Sequence, residues 1–319
     1  MKNIAISIVM PVYNNASTLR RALDSVLAQD FEEGFELICA IDPCADGSYE
    51  ILKEYESAHP ETIVILAPKE RLGTALSRQK AIEMARGEYV YFIDGDDALR
   101  KDCLSVLYRA IKRENADVVN CAFYVVYGKK NKKFIYPFRR NATLNKKAAL
   151  NSFYMDACIR GFMWTKLYRK EILLSTPRVI LASTKDMFED QALNATLLAK
   201  CNKVILLAKP LYYYYKNVST SLSTVKRTDR AMRHIGVFAV QRTFYEKTGD
   251  QIALKVFKKH LYRAKWSVNF DLRIDKKHGC SKDYIARVKQ AWKDLKNLKK
   301  PLPIEGRDYE ELLNRCFIS

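Results

Sequence analysis

The stretch YVYFIDGDD, residues 89–97, sets three carboxylates, Asp94, Asp96 and Asp97, directly behind an apolar run. Repulsion among neighbouring carboxylates is unfavourable unless water, hydrogen bonds or a cation screens it. A strand-to-helix turn favours one Asp, because a carboxylate there caps the next helix and complements its dipole. This turn is denser in acid than capping requires. Hard oxygen ligands on a flexible turn suit a divalent cation that also meets substrate phosphates, so on spacing alone capping and cation binding both stand.

Upstream of that turn, strand and helix signals alternate. IAISIVM (4–10) predicts a buried strand that runs into Pro11, and behind the candidate cap Asn15 the residues Leu19, Leu23, Val26 and Leu27 share one helical face. FELICAI (35–41) and TIVILA (62–67) predict two more strands. SYEILKEYESA (48–58) and TALSRQKAIEMA (74–85) predict helices, the second expected to end at Gly87, and YVYFI (89–93) is the fourth strand. Strands separated by helices of this length form parallel βαβ units in a sheet covered on both faces. Such sheets bind ligands at the carboxyl ends of their strands, the rim where Asp42 and the 94–97 cluster fall.

Downstream, ADVVNCAFYVVYGKKNKKFIYPF (116–138) reads as a long strand, a lysine-rich turn near 128–133 and a returning strand. GFMWTKLYRKEIL (161–173) lies in a less regular region, FEDQALNATLLAKC (188–201) is helical, and KVILLA (203–208) is strand-like before PLYYYYKNVSTSLS (210–223). From Lys226 onward, apolar residues recur at helical spacing. The boundary expected from this change separates a sheet domain, 1–224, from a basic, mainly helical region, 225–319.

Composition narrows the function. A chain of 319 residues with 48% hydrophobic content can bury a sizeable core. No stretch approaches the ~18 apolar residues of a membrane span, and the apolar run after Lys2 is too short for a signal peptide, so the expected address is cytosolic. The eight cysteines are scattered without a CxxC pair and read as reduced, packed thiols. Of the net charge of +19, residues 226–319 contribute 23 Lys/Arg against 11 Asp/Glu. That bias suits an anionic partner, with a merely solvated lysine-rich face as the competing reading. There is no GxxxxGK[ST], and no GxGxxG follows the first strand. None of the four histidines (59, 234, 260, 278) adjoins a strand end, which argues against histidine triads and zinc hydrolysis. Carboxylates are left to carry the chemistry.

Taken together, SIVMPVYNNASTLRRALDSVLAQ (7–29), Asp42, RLGTALSRQKAIEMARGEYVYFIDGDD (71–97), MWTKLYRKEIL (163–173), FEDQAL (188–193) and YYYYKNVSTSLS (212–223) resemble the family 2 glycosyltransferases in order and spacing. The resemblance covers about residues 4–223. It implies a glycosyltransferase A fold, a Rossmann-like and mostly parallel sheet flanked by helices, here with a C-terminal helical extension. It also implies transfer with inversion from a nucleotide-sugar, the aspartate motif holding Mn2+ or Mg2+.

Carried onto this chain, the resemblance places Pro11, Val12 and Tyr13 beside the nucleotide base. Asp42 accepts a hydrogen bond from a uracil ring nitrogen, and Arg78 lies near the diphosphate. Asp94 faces the ribose and metal, Asp96 is the direct metal ligand, and Asp97 ranks behind them. Many members have Asp-Asp-Gly-Ser where this chain reads Asp42-Pro43-Cys44, so one of the paired acids is missing. Asp46 reads as a turn former. Glu189 and Asp190 form the acidic pair containing the general base, with Asp190 taken first. Trp164 and Lys166 either line the acceptor side or pack in the core, and Lys216 and Ser221 are close enough in sequence to reach the phosphates. The expected partners are a UDP-sugar donor and a glycan or lipid-linked glycan acceptor in surface-polysaccharide synthesis. An anionic membrane surface is a further candidate for the basic tail, which would make the protein peripheral at the inner face of the plasma membrane. No nucleic acid is expected, since the tail lacks any recognisable binding signature. A nucleotidyltransferase would show a Gly-rich, Arg-containing loop where this chain has PVYNNASTL. A non-catalytic scaffold requires loss of the base, and Asp190 is present.

Overall fold

A computed structural model describes residues 4–127, 131–135, 140–175, 188–216 and 228–297. Along the chain run β1 (Ile6–Val12), α1 (Ala16–Leu27), β2 (Phe35–Ile41), α2 (Ser48–Ala58), β3 (Ile63–Leu66), α3 (Thr74–Met84), β4 (Tyr89–Phe92) and β5 (Ala98–Leu99). Next come α4 (Cys103–Glu114), β6 (Val118–Tyr127), β7 (Asn131–Ile135), β8 (Ala142–Asn145), α5 (Lys146–Tyr154), β9 (Lys166–Arg169) and α6 (Lys170–Leu174). The last elements are α7 (Glu189–Lys200), β10 (Lys203–Lys216), α8 (Arg230–Lys247), α9 (Gln251–Lys277) and α10 (Lys282–Asn297).

Among the described residues one sheet has the order β3-β2-β1-β4-β9-β6-β10-β5, with β7 paired to β6 and β8 to β10. β1 pairs in parallel with β2 and β4, and β2 with β3, as the alternating strand and helix signals require. Both β1 and β2 are buried almost end to end, which is the mark of strands covered on two faces. β9 then inserts antiparallel between β4 and β6, a strand the sequence reading left inside an irregular region. It is four residues long and opens on a lysine, so neither length nor hydrophobic pattern marked it. β10 runs unbroken from Lys203 to Lys216, and its register against β6 shifts on either side of Pro210. A proline has no N–H for the ladder, and an irregular register accommodates it.

Two local expectations are corrected. Asn15 occupies the N-cap position of α1 but makes no side-chain capping bond: its Oδ1 accepts the Tyr13 N–H at 2.9 Å, while the Ala16 N–H donates to Asp46 Oδ2 at 2.8 Å. Nor does Gly87 end α3, which stops at Met84 with Ala85 already extended. A Cβ at Gly87 would lie 2.6 Å from the Ser7 backbone nitrogen, so glycine is there to let the chain pass against β1. The Gly87 N–H donates to Ser7 Oγ (2.8 Å), and Ser7 Oγ donates to the buried Glu36 carboxylate (2.6 Å).

The described residues form two compact units. The first contains the sheet together with α1–α4 and α6. The second gathers α5 and α7 with the helices beyond residue 225. Within the second, Tyr154 Oη of α5 meets Gln241 Oε1 (3.0 Å) and Tyr245 Oη (2.9 Å) of α8, and His260 Nε2 of α9 meets Asn151 Oδ1 (2.9 Å). These polar contacts tie α5 to a core that its sequence position, far from α8, does not suggest. Among the described residues no cysteine is in a disulfide, and no helix is long and apolar enough to cross a membrane.

Candidate active site

In the first unit the carboxylate turn is built by β4 running alongside β1. Ile93 N–H donates to Val9 O (3.1 Å), and the Asp97 N–H closes the turn on Asp94 O (3.1 Å). α1 grips the turn from outside, Thr18 Oγ1 donating to Gly95 O at 3.0 Å and Arg21 Nη2 donating to Asp96 O. The Arg21 guanidinium also lies 3.7 Å from the centre of the Tyr215 ring. Gly95 leaves room here, since a Cβ there would sit 3.1 Å from Asn15 Cγ and Oδ1 and the Asn15 side chain would have to shift by a few tenths of an ångström.

The three aspartates meet different surroundings. Asp97 is fully buried and accepts from Tyr212 Oη (2.6 Å) and the Tyr215 N–H (2.8 Å), so it welds the turn to β10. Tyr212 Oη in turn accepts the Asp94 N–H at 3.2 Å. Asp94 Oδ1 pairs with Arg78 Nη2 at 2.8 Å, and its side chain remains 30% exposed against 6% for the arginine. Asp96 is half-buried, and among the described residues no other side chain hydrogen-bonds its carboxylate. Burial, and then the charge of Asp94, push Asp96 up to about 6, while its own backbone N–H and then Arg21 pull the other way.

Those properties test the fit of a cation. A carboxylate held at a raised pKa beside a second, partly exposed carboxylate gains from a divalent ion, and hard oxygens are the donors Mn2+ and Mg2+ take. Two protein carboxylates leave most of the coordination sphere to phosphates and water, as is usual for Mg2+ with a phosphorylated substrate. The donor types at Asp94 and Asp96 therefore suit such an ion, although among the described residues no group of three or more His, Cys, Asp or Glu side chains gathers that could hold one.

Along the rim, Asp42 is 4% exposed, with Oδ1 accepting from the Leu72 N–H (3.0 Å) and Ser77 Oγ (3.2 Å) and Oδ2 accepting from the Gly73 N–H (2.8 Å). Three of the roughly four lone-pair directions of a carboxylate are filled, and one on Oδ2 remains. Its partners tie the loop before α3 to the end of β2. Val12 is buried and Pro11 and Tyr13 are half-buried, the Arg71 guanidinium lying 4.2 Å from the centre of the Tyr13 ring. Asp46 is a turn residue, accepting from Ala16 N and Ser48 N (3.1 Å) and so joining the starts of α1 and α2. Burial opposes its ionisation, but these hydrogen bonds hold its carboxyl below the ordinary range.

Trp164 packs in the core, stacked on Tyr212 (4.3 Å), Phe162 (4.7 Å) and Tyr214 (5.5 Å). Lys166 is fully buried, its Nζ donating to Phe162 O and to Thr165 Oγ1 at 3.1 Å. Lys216 is exposed with its Nζ 5.6 Å from the Tyr127 ring centre, and Ser221 lies outside the described residues.

In the second unit, α7 starts at the acidic pair. Asp190 Oδ1 accepts the Gln191 N–H at 2.8 Å, while the side chain of Glu189 lies outside the described residues. Ahead of them Phe188 has φ +65°, a left-handed conformation unusual for so bulky a residue. Its ring stacks on His234 at 4.5 Å with the Arg230 guanidinium 5.7 Å away, and both of those side chains bond the buried Asp271, at 2.7 and 3.2 Å. The sequence reading missed this clamp, along with Arg21, Arg71 and Ser77, because each acts through a neighbour remote in sequence.

The family model described as Glycosyl transferase family 2 matches residues 7–173. The "Cholesterol galactosyltransferase" of Borreliella burgdorferi is 26% identical over 286 residues, which is 83% of this chain and 77% of that protein. The "Putative glycosyltransferase EpsH" of Bacillus subtilis is 29% identical over 241 residues, 74% of this chain and 67% of that protein. Among solved structures, "S. aureus TarS 1-349 in complex with UDP-GlcNAc" superposes with a TM-score of 0.62 at 22% identity, covering 81% of this chain and 73% of that one. With a mostly parallel sheet, an aspartate turn at the end of β4 and a family match over more than half its length, the chain belongs to glycosyltransferase family 2 and has the glycosyltransferase A fold.

Proposed function

We propose that this glycosyltransferase moves a sugar, with inversion, from a UDP-sugar to a hydroxyl of a glycan or lipid-linked glycan in surface-polysaccharide synthesis. The observation that carries the reading is the turn at 94–97, where burial and the charge of Asp94 raise the pKa of Asp96 and Asp94 is paired with Arg78. The solved neighbour that holds UDP-GlcNAc supports the donor class, and a relative whose name joins galactose to cholesterol supports a lipid-borne acceptor.

In this reading the Oδ2 lone pair left on Asp42 takes the base N–H, and the Tyr13 ring, held by Arg71, borders the base. Arg78, aligned by Asp94, lies toward the diphosphate. Asp94 and Asp96 would hold Mn2+ or Mg2+, which would supply positive charge to stabilise the departing diphosphate. Asp190 accepts the proton of the acceptor hydroxyl while that oxygen bonds to the anomeric carbon. The bond from that carbon to the diphosphate oxygen breaks, and the nucleoside diphosphate leaves.

The test is a panel of nucleotide-sugars assayed for nucleoside diphosphate release with and without Mn2+ or Mg2+. UDP-sugars should turn over only with the metal. Asp96→Ala should lose metal-dependent UDP binding, and Asp190→Asn should bind donor normally yet lose at least ~100-fold in kcat. Metal-independent turnover, or an Asp190→Asn enzyme of unchanged kcat, would overturn the corresponding assignment.

A further inference from the structure

Helix α9 presents its large aromatic residues to solvent. Tyr262 is 63% exposed, Trp266 68% and Phe270 49%, and the Trp266 and Phe270 rings stack on each other at 5.7 Å. Their spacing of four residues puts them in a row along one side of the helix. The same side carries the charge. All eight lysines and arginines of α9 are exposed, whereas its only two acids, Asp271 and Asp275, are buried.

The placement of those acids is explained by what they do inside. Asp271 holds His234 and Arg230, and Asp275 accepts the Arg230 and Ala231 N–H groups at 3.0 and 2.9 Å, capping α8. Neither carboxylate is left to offset the outer face. At ~100° per residue, the exposed positions from Lys255 to Lys277 fall within an arc of about 160°, along a helix of about 40 Å. An aromatic row bordered by lysines and arginines, with Asn269 the one neutral polar residue among those exposed positions and the exposed Asp156 near Arg263, is an unusual surface for a soluble partner to leave bare. It matches a lipid interface, where Trp and Tyr settle at headgroup depth and lysine stems reach outward to anionic groups.

We infer that the outer face of α9 is a docking surface for an anionic lipid bilayer, lying flat on it with Tyr262, Trp266 and Phe270 at the headgroup level. This goes beyond the transfer reading and does not depend on it. The charge complementarity commits the face to a negatively charged surface, and the exposed aromatic row commits it to one with an apolar layer beneath.

The experiment is flotation of the full chain with vesicles of phosphatidylglycerol in phosphatidylcholine, against vesicles of phosphatidylcholine alone. The expected result is binding to the anionic vesicles only, weakened at ~0.5 M salt, with Trp266 quenched by brominated acyl chains. Replacing Lys255, Lys258 and Lys259 by Glu should lower binding at least ~10-fold, since long charged residues of either sign keep the helix. Trp266→Ser with Phe270→Ser should lower it to a similar degree and abolish the quenching while circular dichroism stays unchanged. Equal binding to neutral vesicles, binding unmoved by both variants, or no binding at low salt overturns the proposal. So does a wild-type dimer dispersed by the two serine substitutions without any lipid binding, which would assign the face to a second copy. An emission from Trp266 already that of a buried indole in buffer, and unmoved by lipid, would assign it to another part of this chain.

Discussion

Asp96 and Asp97 stand side by side in the turn, yet their carboxylates meet different surroundings. Tyr212 Oη and the Tyr215 N–H hold Asp97 in the interior, where burial and then the charges of Asp96 and Asp94 push it far above the ordinary range. Among the described residues no other side chain donates to the Asp96 carboxylate, and burial with the charge of Asp94 lifts it to about 6. That shift has a signed consequence for the metal-free protein. Between the ordinary value near 3.8 and about 6, the folded chain keeps a proton that the unfolded chain has released. Stability therefore falls as pH rises through that window, and the whole penalty is present above it. Asp96→Asn removes the charge, so its stability relative to wild type should rise from near zero below pH ~4 to on the order of 3 kcal/mol above pH ~6. Urea unfolding of both proteins at pH 4 and pH 7.5 measures the difference, and Mn2+ added to wild type should shrink it. A difference that does not change with pH would mean that Asp96 is not strained by its neighbours.

At the level of elements, two glycines separate steric need from backbone need. A Cβ at Gly87 would meet Ser7 N at 2.6 Å and Ile6 C at 2.8 Å, both backbone atoms of β1 that cannot turn aside. Gly47 has φ +88° with nothing within 4 Å of its missing Cβ. Gly87→Ala should therefore cost about 3 kcal/mol or more by forcing β4 from β1, and Gly47→Ala only about 1 kcal/mol of backbone strain. Equal thermal shifts in the two variants would show that the sheet yields at Gly87. The same position marks the limit of what was legible. Alternation along residues 4–93 placed β1 to β4 and the intervening helices within about two residues, because strand and helix periods are written in local sequence. A glycine after a helix suggests a stop signal by the same local logic, and only the packing of β1 shows that this one serves a different neighbour. β9 escaped notice for a related reason, since its strand character comes from β4 and β6 on either side of it.

Across the molecule, legibility follows the reach of each interaction. The candidate site carboxylates Asp42, Asp94 and Asp96 could be singled out because each follows a strand, whereas Arg21, Arg71 and the Phe188 clamp needed tertiary contacts to be seen. The positive bias beyond residue 225 was plain in composition, but its concentration on one face of α9 depends on which two acids are buried. The two units also make donor binding locatable in the intact chain. The residues proposed to contact the donor, 11–13, 42, 78 and 94–97, all fall in the first unit. A ligand that binds only the folded site stabilises by RT ln(1 + [L]/Kd), which is about 2.7 kcal/mol at a hundredfold excess over Kd. Amides of that unit that exchange only through its unfolding should then slow about 100-fold with UDP and Mn2+. Hydrogen exchange followed by mass spectrometry should show this slowing in β1, β4 and α3, with the strongest local protection at 72–78 and 94–97. Peptides of α8 to α10 should exchange at their unliganded rate if donor binding draws on the first unit alone. Protection confined to residues 189–297 would place the donor on the second unit and refute the assignment of Asp42, Arg78, Asp94 and Asp96 together.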